Sequence, residues 1–438
     1  MSDAAASGSG SGKKNNECVN SGHANSSNDY YFNFYASLQN QANMIGDVCR
    51  TGTYRKAILG NAAVAIQDKT VLDLGAGSGI LSYMAAQAGA KEVIALEASS
   101  MAEKIQILVD QANRGGSNPH IRGRVRIVRG MVEDKGVQAD VLRSGKVDTI
   151  VSEPIGVMLL HERMVESFLL ARDLFLKPGG SILPSAGSIF FAPFSDEGLY
   201  NETEQKAQFF NQTLFGTDYS ALYEVARAEA FAQPVIGIFP PGTLMGHAAP
   251  PQTFDFYTCT REDLLDFTVH LEFVATRTAV MHGLASWFDL DFEASVKDRP
   301  SDEVPGDAEA EAAWEYPVTQ AWPWSAEPPL NPNPPPEAPR RGVKVSMSTG
   351  PNALRTHWQQ ARLILPEPLA VNRSERVVGT IRFKVNESRS YDLTLDVAVD
   401  RGGEAPHSNL LRRTATFNLS QQTFNYSYTG DPIPGLAS

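Results

Sequence analysis

Two glutamates, Glu153 and Glu162, are the residues of this 438-residue chain whose type and spacing most directly indicate chemistry. They flank a loop that contains Gly156 and follows the apolar run 149–152, so the two side chains can face each other across a hairpin. Two opposed carboxylates match the forked N–H donors of a planar guanidinium. Spacing alone nevertheless favours two solvent-exposed glutamates on a loop, so the pair needs support from other residues.

A glycine-rich turn at Gly75 and Gly77 follows the apolar run 71–74 and forms a second candidate site. Such a turn between a strand and a helix lets a ligand approach backbone amides closely, although a purely structural turn has the same composition. Glu97 ends the next apolar run, where an acid can accept both hydroxyls of a ribose. Ile80 stands where a dinucleotide fingerprint requires its third glycine, so the spacing disfavours a nicotinamide cofactor.

Glu133 is a third candidate, because it follows the apolar run 125–128. A carboxylate at that strand end can accept a hydrogen bond from an adenine amino group. A solvated acid in the run Glu133-Asp134 explains the residue equally well.

The elements that must position these residues alternate between strands and helices. The predicted elements of this half, in chain order, are strand 71–74, helix 81–88, strand 93–97, a helix from Met101, strand 125–128 and strand 149–152. This alternation is typical of an α/β fold with a doubly wound parallel sheet. A near-helical apolar pattern from Tyr30 to Gly52 predicts one docking helix before the sheet, and a turn at 177–180 is predicted to close this half near Pro184.

After Pro184 the pattern changes to short alternating runs with β-branched and aromatic residues, which predicts an antiparallel β domain. Its predicted strands are 188–192, 254–257, 267–273, 283–288, 378–385 and 391–399. Helical spacing over about 196–232 predicts a helical excursion, and the Pro-rich, acidic stretch at about 296–342 predicts a loop insertion. The predicted organisation is a disordered tail at 1–28, a first domain at 29–184 and a second domain at 185–438.

Composition limits the class of function. A net charge of −12 gives no basic face for a nucleic acid, and suits cationic partners or simply solubility. The apolar runs are far shorter than the roughly 20 residues that a membrane-spanning helix needs, and the N-terminus lacks an apolar secretory segment. Cys18, Cys49 and Cys259 are too widely spaced for a zinc site. Composition therefore predicts an intracellular protein with no metal, no membrane and no direct nucleic-acid contact.

Several motifs, taken in their order, resemble protein arginine methyltransferases from about Tyr30 to about Thr429. The segment 152–164 resembles the double-glutamate loop of that family, 31–35 with Met44 resembles its N-terminal helix signature, and 356–358 resembles its threonine-histidine-tryptophan loop. The residues that are most similar to the coactivator-associated subgroup are Pro154, Arg50 to Tyr54 and Ser408 to Leu411. The resemblance implies a Rossmann-like domain followed by a β-barrel, with a dimerisation arm at about 196–232 and a homodimer.

The same resemblance implies that S-adenosylmethionine is the cofactor and S-adenosylhomocysteine (AdoHcy) the product. The residues implied to hold it are Phe32, Gln41, Arg50, Gly75, Gly77, Glu97, Glu133 and Ser167, with Arg50 on the cofactor carboxylate. Glu153 and Glu162 are implied to clamp the substrate guanidinium. His357 beside them is either a proton relay or the donor of a loop-ordering hydrogen bond.

Four further residues are implied at the substrate side, namely Tyr35, Met44, Met164 and Trp358. Tyr35 is implied to steady the glutamate loop, and the two methionines imply monomethyl and asymmetric dimethyl products. Because two close carboxylates repel, we expect the empty site to raise the pKa of one glutamate.

The partners that the resemblance implies are histone tails, RNA-binding proteins and transcription coactivators, with residence in the nucleus and cytoplasm and a role in chromatin and transcription. Two residues depart from the family pattern: Val157 stands where the family usually has Tyr, and His161 where several members have Tyr or Asn. A small-molecule methyltransferase and a cofactor-binding scaffold without turnover therefore stay open as alternatives.

Overall fold

The computed structural model describes residues 31–32, 34–295, 342–400 and 412–425. The predicted tail, the subgroup motif Ser408 to Leu411 and all but the last residue of the predicted insertion lie outside these ranges. No helix within them is long and apolar enough to cross a membrane.

The N-terminal segment is helical at residues 31–32 and 34–35 and continues as α1 (Leu38–Gly46) and α2 (Val48–Gly60). The single helix predicted from Tyr30 to Gly52 is therefore wrong. The chain breaks at Asp47, whose backbone is extended and whose carboxylate accepts the Arg50 N–H at 2.9 Å. Aspartate stabilises a helix start by this contact, so it begins a new helix.

A five-stranded parallel sheet follows. Its strands are β1 (Thr70–Leu74), β2 (Glu92–Glu97), β3 (Val125–Arg129), β4 (Val147–Ser152) and β5 (Leu176–Leu183). The helices between them are α3 (Ile80–Gln87), α4 (Met101–Asn113), α5 (Lys135–Val141) and α6 (Met164–Phe175). The strand order β3-β2-β1-β4-β5 confirms the predicted doubly wound sheet.

The strand order reverses direction between β1 and β4, and this point positions the site. Leu74 pairs with Ser152, so the glycine turn that follows β1 and the glutamate loop that follows β4 leave the sheet side by side. Ligands bind at such switch points in open α/β sheets.

The turn predicted at 177–180 is wrong. Leu176 pairs with Val147 and Ser181 with Thr149, so residues 177–180 bulge within β5 instead of ending it. Lys177, in this bulge, donates to Asp148 at 2.7 Å.

The second half is antiparallel β structure, as predicted. Its strands are β6 (Ala186–Phe194), β7 (Thr213–Leu214), β8 (Thr217–Asp218), β9 (Val235–Gly237), β10 (Gln252–Asp255), β11 (Asp266–Val274), β12 (Ala279–Phe292), β13 (Val345–Ser348), β14 (Gln360–Val371), β15 (Arg376–Val385), β16 (Tyr391–Asp400), β17 (Arg412–Asn418) and β18 (Thr423–Phe424). One sheet has the order β10-β6-β12-β14-β9-β18, with β13 on β12, and the other has β11-β15-β16-β17. β9 and β18 pair in parallel, and every other pair is antiparallel.

The two sheets pack against each other through aromatic rings. Phe191 of β6 meets Phe383 of β15 at 6.2 Å between centroids, and Phe254 of β10 meets Phe267 of β11 at 5.2 Å. These contacts close the predicted barrel.

The predicted helical excursion is a pair of helices, α7 (Glu197–Gln208) and α8 (Tyr223–Phe231), joined through the β7–β8 hairpin. Leu199 and Phe231 are buried in a small core that fixes the pair to the barrel. The far end of this arm carries large exposed apolar side chains, namely Phe209, Phe215, Leu222 and Val225.

Candidate active site

The glycine turn after β1 brings the backbone into close contact with two side chains from other elements. Gly75 and Gly77 have φ values of 69° and 53°, which glycine adopts without strain. A Cβ at Gly75 would lie 2.8 Å from the Met164 side chain, and a Cβ at Gly77 would lie 2.9 Å from Gln41 Oε1. The turn therefore needs glycine both for its conformation and for its packing.

Glu97 ends β2 and is fixed to the glycine turn. One carboxylate oxygen accepts the Gly77 N–H at 2.8 Å and the other accepts the Ser99 N–H at 2.7 Å. Beneath the turn, buried Asp73 accepts a hydrogen bond from Ser82 at 2.7 Å, and burial raises the pKa of Asp73 to about 7. The acid at the strand end is thus held at a fixed place by backbone donors.

The glutamate loop is a hairpin in an uncommon backbone conformation. Gly156 donates to the Leu159 carbonyl at 3.2 Å, and a Cβ at Gly156 would lie 2.1 Å from the His161 carbonyl oxygen. Glu162 and Arg163 have φ values of 72° and 58°, in the left-handed region that non-glycine residues rarely adopt. Residues in such conformations persist only where their surroundings hold them.

Glu153 forms an ion pair with Arg50 across the entrance of the loop. Arg50 Nη2 lies 3.0 Å from Glu153 Oε2, and only 7% and 11% of the two side chains are exposed. Arg50 Nη1 also donates to the Met44 carbonyl at 3.3 Å, which ties α1 to α2. The buried Arg50 Nε has no hydrogen-bond partner among the described residues.

Glu162 accepts hydrogen bonds from Tyr35, whose hydroxyl lies 2.9 Å from both carboxylate oxygens. The pKa of Glu162 is raised to about 7, mainly by burial and to a lesser extent by the Glu153 charge, while the hydrogen bond from Tyr35 opposes the rise. The expected rise in the pKa of one glutamate is confirmed. Its main cause is burial, however, and repulsion between the carboxylates contributes less.

A single open cavity joins these features. The predicted residues that line it are Phe32, Tyr35, Gln41, Met44, Arg50, Gly75, Gly77, Glu97, Glu153, Glu162 and Met164. Glu133 and Ser167 line an adjoining cavity, which shares Phe32, Gly75 and Met164 with the first. Ser167 donates to Glu133 at 2.7 Å.

His357 and Trp358 line neither cavity but hold the surrounding elements. His357 Nδ1 lies 2.7 Å from Asp47 Oδ2, and its backbone N–H donates to the same oxygen at 2.8 Å. Burial alone would raise the pKa of Asp47, but the hydrogen bonds from His357 and Arg50 lower it. Trp358 Nε1 donates to the Ile155 carbonyl at 3.0 Å and so anchors the glutamate loop.

Sequence reasoning missed three residues that contact this site. Asp47 carries a signal that could have revealed it, because an aspartate three residues before Arg50 matches a helix N-cap. Arg389 and Ser390, in the turn between β15 and β16, bond to the glutamate loop although they follow it by more than 200 residues. No local pattern marks these two residues.

Two family models match the chain, one in each half. The model described as "Arginine methyltransferase oligomerization subdomain" matches residues 185–301 and 338–402. The model described as "Ribosomal protein L11 methyltransferase (PrmA)" matches residues 57–171, which contain the glycine turn and the glutamate loop.

Curated relatives match most of the chain. The histone-arginine methyltransferase CARMER of Drosophila yakuba is 36% identical over 417 residues, covering 94% of this chain and 65% of the relative. The probable histone-arginine methyltransferase CARMER of Drosophila melanogaster gives the same identity and coverage. The chain thus spans 65% of the length of these relatives.

Solved structures share the fold over most of the chain. The Trypanosoma brucei PRMT1 enzyme-prozyme heterotetrameric complex with AdoHcy is similar with a TM-score of 0.63 and 25% identity, covering 88% of this chain and 99% of that one. Protein arginine methyltransferase 10 of Arabidopsis thaliana is similar with a TM-score of 0.67 and 23% identity, covering 89% of this chain and all of that one. At that identity, the second likeness concerns the fold alone.

Proposed function

We propose that this chain is a protein arginine methyltransferase, like the relatives that match 94% of its length, and that it transfers methyl groups from S-adenosylmethionine to guanidino nitrogens of arginine in proteins. The observation that carries this proposal is the placement of two half-buried carboxylates, Glu153 and Glu162, in one cavity with the glycine turn. The cavity thereby offers a nucleoside site and a guanidinium site in contact with each other.

The residues present fit the cofactor. The Gly75–Gly77 turn lines the cavity, and Glu97 is fixed at the strand end where a ribose can bind. Arg50 lines the cavity and has a buried Nε without a hydrogen-bond partner among the described residues, which suits a carboxylate ligand. Gln41 and Phe32 would enclose the same end, and Glu133 with Ser167 would hold the adenine. When bound, the cofactor supplies an electrophilic methyl group on a sulfonium.

The role of the two glutamates follows from the protonation state of the substrate arginine. Arginine stays protonated at neutral pH, and its nitrogen lone pairs are delocalised, so it is a poor nucleophile. Glu153 and Glu162 would bind opposite sides of the guanidinium and draw its positive charge toward the nitrogens that they contact. Orientation of this kind supplies up to about 7 to 11 kcal/mol of the barrier. The reacting nitrogen loses one proton, and Glu162, whose pKa is raised to about 7, is placed to accept it.

The contacts of His357 and Trp358 favour ordering roles in this site. The His357 ring binds Asp47, which begins α2 and thereby positions Arg50. Trp358 fixes the Ile155 carbonyl beside Glu153. Tyr35 steadies Glu162 by its hydroxyl.

We propose histone H3-type tails as substrates and asymmetric dimethylarginine as the final product, since Met44 and Met164 line the cavity at positions that the family's asymmetric enzymes fill with methionine. Histone substrates are consistent with the names of the relatives and imply work in the nucleus, in chromatin and transcription.

The test is transfer of labelled methyl to a histone H3 tail peptide, with an Arg→Lys copy as control and mass spectrometry of the products. We expect label on the Arg peptide alone, with monomethyl and asymmetric dimethyl products. Only symmetric dimethylarginine would contradict the product assignment. No label on any Arg-containing substrate, with AdoHcy binding intact, would favour a cofactor-binding scaffold.

We propose that the first domain ends near residue 184 and that the arm at 196–232 docks on the first domain of a second copy. The parallel sheet ends at Leu183, and the oligomerization subdomain model begins at residue 185. The exposed apolar side chains Phe209 and Phe215 at the far end of the arm give such a partner an apolar surface.

A Phe209→Ser, Phe215→Ser double variant is expected to sediment as a monomer, because it removes the two largest exposed apolar side chains of the arm. Analytical ultracentrifugation measures the mass, and Phe424→Ser, an exposed phenylalanine outside the arm, is the matched control. A double variant that keeps the wild-type dimer mass would remove the arm from the interface.

A further inference from the structure

The turn between β15 and β16 reaches the glutamate loop from the barrel. Arg389 Nη2 donates to the Glu162 carbonyl at 3.3 Å, and Ser390 Oγ lies 2.8 Å from His161 Nδ1. Asn386 Oδ1 accepts the backbone N–H groups of Ser388 and Ser390 at 3.0 and 3.2 Å, so the turn is itself ordered. Two successive residues of the barrel thus bond to two successive residues of the loop.

Arg389 also contacts the N-terminal segment. Its guanidinium carbon lies 4.6 Å from the centre of the Tyr31 ring. Tyr31 packs on Tyr35 at 4.9 Å between centroids, and Tyr35 in turn donates to Glu162. The same side chain therefore touches the loop that carries Glu162 and the aromatic segment that lines both cavities.

The loop needs such a contact because of its backbone. Glu162 and Arg163 are both in the left-handed region, a strained conformation that non-glycine residues keep only where their surroundings hold them. The bond from Arg389 is made to the carbonyl of Glu162, the peptide group between these two residues. It fixes the direction in which the Glu162 side chain leaves the backbone.

Charge is the second contribution of Arg389. The groups that face Glu162 are the hydroxyls of Tyr35 and Tyr31, the carboxylate of Glu153 and the guanidinium of Arg389. Glu153 raises the pKa of Glu162, whereas Arg389 lowers it. Arg389 thus favours the ionised form of the carboxylate.

We propose that Arg389 is a positioning residue of the methyl-transfer site, which holds the Glu162 carbonyl and the Tyr31 ring together, so that the glutamate loop and the aromatic segment beside the cofactor site keep one relative arrangement. This inference rests on the proposed function for its catalytic part. The expected effect of Arg389 on cofactor binding depends only on its contact with Tyr31, and AdoHcy affinity measures that effect separately from activity.

The experiment compares Arg389→Ala and Arg389→Lys with Arg382→Ala, which removes an exposed arginine of β15 that pairs with Asp266. Calorimetry measures AdoHcy affinity, and the pH profile of kcat/KM is measured on the histone tail. We expect Arg389→Ala to weaken AdoHcy binding about two- to thirtyfold, the range of a cation–π contact. We also expect kcat to fall at least about tenfold and the acid limb of the profile to move to higher pH.

Arg389→Lys separates charge from geometry. It should keep the acid limb at the wild-type pH, because the positive charge remains, while kcat stays reduced because the guanidinium N–H that bonds to the Glu162 carbonyl is lost. Arg382→Ala should match the wild type in all three measurements. A variant that merely loosens the barrel would lower the unfolding temperature without moving the acid limb.

The proposal is overturned if Arg389→Ala keeps wild-type AdoHcy affinity and an unmoved acid limb, or if Arg382→Ala produces the same changes. If Arg389→Ala does not fold, the pH profile of Arg389→Gln is compared with that of Arg389→Lys. Only the Gln variant, which has lost the positive charge, should move the acid limb to higher pH. If the wild type methylates no arginine but Arg389→Ala alone weakens AdoHcy binding, the proposed function fails while the link between Arg389 and the cofactor segment stands.

Discussion

Glu162→Gln is expected to lower the rate of methyl transfer at least about tenfold and to leave AdoHcy affinity unchanged. The amide still accepts the hydrogen bond that Tyr35 donates in the wild type, so the loop keeps its support. It cannot carry the negative charge that polarises the guanidinium, and it cannot accept a proton. The measurement is labelled methyl transfer to the histone tail, with AdoHcy binding by calorimetry alongside it.

Loss of activity in this variant cannot be attributed to unfolding. The pKa of Glu162 is raised in the folded state, so folding takes up a proton between about pH 4.5 and 7. The contribution of Glu162 to stability therefore falls as pH rises through this window, and at pH 8 the neutral glutamine should be at least as stable. Glu103→Gln, an exposed glutamate on α4, is the matched control and should keep full activity.

The pH profile provides an independent check on the same residue. If ionised Glu162 is required, wild-type kcat/KM should fall below about pH 7, following the raised pKa of the free enzyme. The limb in kcat should lie at lower pH, because a bound guanidinium favours the carboxylate. Full activity of Glu162→Gln, or a flat profile from pH 6 to 8, would remove the clamp from the mechanism.

Arg50→Met is expected to lower the free energy of unfolding by about 3 to 5 kcal/mol and to abolish measurable AdoHcy binding. Arg50 and Glu153 form a buried ion pair, and removal of the cation leaves the Glu153 carboxylate buried without its partner. The bonds from Arg50 to the Met44 carbonyl and the Thr51 hydroxyl would be lost as well. Chemical denaturation measures the stability and calorimetry the affinity.

Arg129→Met is the matched control, because Arg129 pairs with Glu103 on the surface, with 57% and 67% of the side chains exposed. Exposed pairs contribute at most about 1 kcal/mol, so the control should unfold nearly as the wild type does. Arg50→Lys keeps the charge but not the forked donor, and should recover stability in part. An Arg50→Met protein that unfolds like the Arg129 control would show that the pair contributes little.

The two glutamates differ in a way that suits a guanidinium clamp. Glu153 forms an ion pair with Arg50, whereas Glu162 meets two tyrosine hydroxyls and has a raised pKa. A substrate guanidinium would therefore contact two different carboxylates: Glu153, whose charge is balanced by Arg50, and Glu162, whose raised pKa suits proton exchange.

Much of the fold could be predicted from the sequence, because the spacing of apolar residues and the residue types that form turns are local properties. The strands that carry Leu74, Glu97 and Ser152 and the glycine turn after β1 lie where their residue patterns predicted them. β14 was missed, since Pro366 and Pro368 interrupt its pattern and proline lacks the N–H of a strand. The break at Asp47 was in the sequence as a capping residue, but the longer apolar pattern outweighed it.

The sequence by itself determined which residues could do chemistry: two glutamates on one loop, a glycine turn, and an acid at the end of the next strand. Only the tertiary structure decided what each of them meets. The pairing of Arg50 with Glu153, the anchoring of Ile155 by Trp358 and the reach of Arg389 to Glu162 join residues more than 100 positions apart. The raised pKa of Glu162 arises mainly from burial, and burial is a property of the packed molecule that no local pattern contains.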